Sequence, residues 1–84
     1  MTKKDSLKKK VLYRSKYRGT KEMDILLSRF VGSCIDNLDE KDLLTLYEFL
    51  NYEDEVIYNF YIGNNVSNYE SKNKFFKIFK NFKI

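Results

Sequence analysis

Apolar residues recur along this chain with the 3-4-3-4 spacing of a helix, and no stretch alternates long enough with period two to form a strand. The longest stripe runs through Met23, Leu26, Leu27, Phe30, Val31, Cys34, Ile35 and Leu38, eight positions on one face of a helix. Upstream, Leu7, Val11, Leu12 and Tyr13 mark a first helix that ends near Arg18. A third begins after Asp39, which is placed to accept hydrogen bonds from the orphan amides of the first turn, and it turns Leu43, Leu46, Tyr47 and Leu50 inward. After a polar break at residues 51–54, where Asn51 or Asp54 could cap the next helix, Val56, Ile57, Phe60 and Tyr61 form a fourth stripe. Gly63 stops it, as expected of a glycine just past a helix end. Ser67 and Glu70 have capping-box spacing and open a last helix with Phe75, Phe76, Phe79 and Phe82 inward. The pattern predicts an all-α fold: one compact five-helix bundle spanning residues 1–84, with residues 1–5 expected to be flexible.

At 84 residues the core has to be small, and seven phenylalanines with seven tyrosines are available to fill it. No apolar run approaches the length of a membrane span, and the lysine-rich start has no apolar segment of the secretory type. A cytoplasmic location is the simplest expectation.

The formal charge of +4 conceals three blocks. Residues 1–21 hold nine Lys or Arg and one Asp, residues 22–61 hold ten acids and two bases, and residues 62–84 hold five lysines and one Glu. A basic–acidic–basic order lets the ends neutralise the middle on folding. Basic ends and an amphipathic last helix also keep an alternative open, a small protein binding nucleic acid or an anionic membrane.

Catalytic chemistry has little to work with. The chain has no histidine, and its one cysteine lies inside the longest stripe, where it reads as a core residue. A lone cysteine makes neither a disulfide nor a cysteine-based zinc site. Glu22 with Asp24, and the acids at 39–42, are explained by helix starts. The three glycines are scattered and form no dinucleotide-binding fingerprint. No enzyme is expected.

What stands out is the junction Arg18-Gly19-Thr20-Lys21-Glu22-Met23-Asp24. Gly19 falls between two helical patterns, where a left-handed or capping residue is expected. Arg14, Lys16, Arg18 and Lys21 approach it from both sides. The segment reads either as a hinge or as a charged corner with no Cβ at its centre, which another backbone could approach closely.

Residues 12–30, LYRSKYRGTKEMDILLSRF, closely resemble the signature of the succinate dehydrogenase assembly factors, also called flavinylation factors. Leu12, Tyr13, Ser15, Arg18, Gly19, Glu22, Asp24, Leu26, Leu27 and Phe30 all fit it, and a weaker likeness extends over roughly residues 7–82. The chain departs from the family in lacking a Trp in the fourth helix, where Phe60 and Tyr61 stand, and a proline in the loop after it. The resemblance implies an assembly chaperone that docks on the flavoprotein subunit of succinate dehydrogenase, in some members of fumarate reductase, and promotes covalent attachment of FAD to a histidine of that subunit. FAD would then belong to the client, and the chain would have no cofactor or metal of its own. It implies a docking surface at Gly19, with Arg18 and Glu22 as charged contacts, Asp24 and Tyr13 as second choices and Arg14 and Lys16 as electrostatic support. Each charged residue among these could instead form an ion pair within the chain. A monomer when free is expected.

Overall fold

The computed structural model describes residues 3–63 and 69–82. Helix α1 spans Lys3–Ser15, α2 Lys21–Cys34, α3 Glu40–Leu50 and α4 Asp54–Tyr61; two short helices follow, α5 over Tyr69–Lys72 and α6 over Phe75–Lys80. A single 3-10 turn, Ile35–Asn37, continues α2. The all-α five-helix bundle is borne out, with its last member broken in two. The break lies at Asn73, a buried polar residue. Its amide donates to the carbonyl of Thr45 (2.9 Å) and its Oδ1 accepts from the backbone N–H of Phe75 (2.9 Å). A side chain that bonds local backbone in this way competes with helix continuation.

Helix α1 packs chiefly on α3 and then on α2, while α6 packs on α4 and α3. The eight-residue stripe of α2 turns inward as predicted; only Cys34 and Leu38, at its end, stay half-exposed. In α1 the inward line is narrower than predicted. Leu7, Val11 and Ser15, four apart, face the core, whereas Leu12 and Tyr13 are exposed. In α3 the aromatic that reaches the centre is Phe49, with Tyr47 half-buried. Phe30 and Phe49 form the middle of the core. Their rings lie 6.2 Å apart edge-on, and both contact Phe75 and Phe79. Phe75, Phe76 and Phe79 are fully buried, so the last helix uses its apolar face inside the molecule.

The local punctuation follows the sequence in part. Asp39 caps α3, its Oδ1 accepting from the N–H of Asp42 at 2.8 Å. Substituting Asp39 by alanine should cost about 1 kcal/mol, read as a fall of roughly 4–8 °C in the thermal midpoint by circular dichroism. Gly63 is left-handed (φ +82°) just past α4. Neither Asn51 nor Asp54 caps α4: Glu53 holds that position without a side-chain bond, and Asn51 ends α3. The capping-box side chains of Ser67 and Glu70 lie outside the described part of the structure. Four ion pairs, Lys3–Glu40, Lys8–Asp36, Arg18–Asp54 and Lys74–Asp42, each join a basic end of the chain to its acidic middle.

Candidate docking corner

Helix α1 stops at Ser15, three residues short of the predicted end. The chain reverses at Tyr17, whose φ of +57° places a bulky residue in the left-handed region. Gly19 is not left-handed, contrary to expectation, and the N-cap of α2 is Thr20, whose hydroxyl accepts from the N–H of Met23 at 3.2 Å. Glycine at 19 answers to space instead. Its N–H donates to Asp54 Oδ2 at 2.8 Å, and a Cβ built there would lie 3.3 Å from the same oxygen.

Arg18 turns inward, its side chain only 4% exposed. Nε and Nη2 each lie 2.7 Å from Asp54 Oδ1. Nη1 donates to the carbonyls of Arg14 (2.9 Å) and Leu50 (2.7 Å), and Nη2 to that of Tyr52 (3.1 Å). The Arg14 and Leu50 carbonyls belong to the last turns of α1 and α3, where they have no helical partner and carry the negative end of the dipole. A single guanidinium therefore closes two helix ends and fixes the start of α4. Its burial is matched by charge and by hydrogen bonds at each nitrogen, the condition under which a buried cation is tolerated.

This clamp leaves Gly19 and Glu22 exposed on the outside of the corner. They line a groove of about 440 Å³ with Met23, Asp54, Glu55 and Tyr58. Tyr13 and Arg14 lie along α1 in a second hollow of about 520 Å³, with Lys9, Lys10, Tyr47 and Asn51. There Arg14 Nε donates to Asn51 Oδ1 at 3.0 Å. Asp24 faces a different side of α2, with Lys16, Tyr17, Ile25 and Arg29. The corner thus gathers Arg18, Gly19 and Glu22, places Tyr13 and Arg14 beside them, and sends Asp24 away. Sequence reasoning missed Asp54, the partner of both Arg18 and Gly19, along with Glu55 and Tyr58. Cys34 takes no part: its S–H donates to the Phe30 carbonyl (3.5 Å) and burial pushes the thiol pKa up.

The family model described as flavinator of succinate dehydrogenase matches residues 9–83. The chain belongs to this family. The match runs from the hollow on α1 through the Gly19 corner to the end of the aromatic core. Membership supports a role in the flavinylation and assembly of succinate dehydrogenase. Comparison with curated proteins and with solved structures gave no match. Among the described residues, no helix is long and apolar enough to cross a membrane.

Proposed function

We propose that this protein binds the flavoprotein subunit of succinate dehydrogenase through the Gly19 corner and, in the cytoplasm, promotes covalent attachment of FAD to that subunit. The observation carrying this reading is an exposed glycine held on a rigid corner beside an open groove. Gly19 is the point of close approach, Glu22 a charged contact, and Met23 and Tyr58 the apolar floor. Arg18 acts from within, holding Gly19 and α4 in register, so its part in docking is indirect. Tyr13 and Arg14 extend the face along α1. Asp24, on another side of α2, stands outside this contact.

The factor supplies no reacting group. FAD and the histidine it is joined to belong to the client, and a chain without histidine cannot be that acceptor. Binding the reactive arrangement of the client more tightly than the loose one shifts the population toward it. Orientation of flavin and acceptor can lower such a barrier by several kcal/mol, up to about 7–11 in ideal cases.

The anionic-membrane alternative loses one of the two features that suggested it, because Phe75, Phe76 and Phe79 are committed to the core.

The test is to produce the flavoprotein subunit in cells lacking their own factor, with and without this chain, and to read covalent flavin by fluorescence after denaturing electrophoresis. The chain should raise the flavinylated fraction severalfold and co-purify with the subunit. Equal flavinylation in both cells, with no complex recovered, would remove the proposal.

A further inference from the structure

Resting on that reading, we infer that the Gly19 corner is the middle of one continuous docking track with opposite charge at its two ends. It takes a segment of the flavoprotein that is acidic where it meets α1 and basic where it meets α4.

Continuity comes from shared walls. A smaller hollow of about 280 Å³ lies over the clamp. It shares Arg14 and Asn51 with the α1 hollow, and Gly19 and Asp54 with the α4 groove. The three are therefore neighbours in a row.

The ends differ in sign. Every ionised side chain lining the α1 hollow is a cation: Lys9, Lys10 and Arg14. The bond from Arg14 goes to a neutral amide, which leaves its charge uncompensated by that contact. At the other end the ionised groups are Glu22, Asp54 and Glu55. Asp54 is neutralised by Arg18, whereas Glu22 and Glu55 make no ion pair among the described residues. Both glutamates sit in first turns, where the helix dipole favours them. Each helix start offsets only about half a charge, so two carboxylates still dominate the groove.

A surface with one sign would attract any opposite partner. A surface with two fixes the direction in which a segment lies, because the reversed orientation sets like charges against each other. Lys10 and Glu55 are exposed, so exchanging their charges leaves the core untouched.

The experiment measures the dissociation constant of the full chain with the unflavinylated flavoprotein subunit, at low and at high salt. Lys10→Glu and Glu55→Lys should each weaken binding about tenfold at low salt and less at high salt. Lys77→Glu, exposed on α6 and lining none of the three hollows, should stay near wild type. The double variant Lys10→Glu/Glu55→Lys decides the question. It restores the net charge of +4 yet removes most of the polarity, leaving the α1 end with one net positive charge and the α4 end with none, so it should bind at least as weakly as either single variant. Wild-type affinity for the double variant would mean that only total charge matters and would overturn the inference, as would an unchanged Lys10→Glu; in both cases the docking proposal survives. No complex with the wild-type chain removes both.

Discussion

Replacing Asp54 with alanine should lower the melting temperature of the domain by roughly 12–24 °C, the shift that about 3 kcal/mol produces in a domain of this size. The substitution removes the one carboxylate that, among the described residues, pairs with a guanidinium whose side chain is 4% exposed. Breaking a buried pair from one side costs about 3–5 kcal/mol, because the remaining charge has lost its solvent and its partner. The low end applies here, since three carbonyls still receive the Arg18 N–H groups. Even so, about 3 kcal/mol is a large part of the whole for a small domain, whose total runs at roughly 0.05–0.15 kcal/mol per residue. Asp54→Asn keeps an acceptor and loses the charge, so it should fall between. An apolar double replacement, Arg18→Met with Asp54→Leu, should not recover the loss, because the carbonyl of Leu50, at the end of α3, would then lose the donor it has in Arg18. Thermal unfolding followed by circular dichroism measures all three. A drop of only a few degrees for Asp54→Ala would mean that water or another anion replaces the carboxylate, and the clamp would not be what holds the corner.

That clamp marks the limit of what the sequence discloses. Features determined within one helical turn were legible: the inward stripe of α2, the Asp39 cap and the Gly63 stop. Arg18 and Asp54 are 36 positions apart, and nothing local links them. From the sequence one reads as an outward contact and the other as a cap. Folded, they are each other's partners. The same long-range bond explains the misplaced reversal. Gly19 must present its N–H to Asp54 while Arg18 reaches between the ends of α1 and α3, so the left-handed turn falls on Tyr17 instead. Backbone held in an unfavourable region is a common consequence of such outside constraints. In the last helix, periodicity placed the phenylalanines correctly but gave no sign that Asn73 would be drawn inside to bond Thr45.

The signature thus divides its work between two sides of one corner. Arg18 is spent inward on helix ends, and Gly19 with Glu22 remains outward. Loss of Arg18 and loss of Gly19 should therefore fail differently, the first through stability and the second chiefly through docking.

Gly19→Glu and Gly19→Arg put this to the test, and both should abolish stimulated flavin attachment in a domain that still folds. The backbone at 19 lies outside the left-handed region, so any residue can adopt it. A Cβ would press on Asp54 Oδ2 from 3.3 Å, and the carboxylate has to yield a few tenths of an ångström. Overpacking of that kind costs about 1 kcal/mol, seen as a fall of roughly 4–8 °C in the midpoint. Beyond the Cβ, a long side chain projects across the groove that Gly19 shares with Met23 and Tyr58. A blocked central contact is worth about 2 kcal/mol or more in binding, a thirtyfold or larger loss. The opposite charges of the two variants separate bulk from electrostatics. Equal failure means that the missing side chain is what the client needs. Failure of Glu with survival of Arg would mean that the corner repels added negative charge rather than excluding volume. Covalent flavin on the subunit, measured beside the melting curve of each variant, distinguishes these cases. Should both variants flavinylate normally, the close approach at Gly19 does not occur.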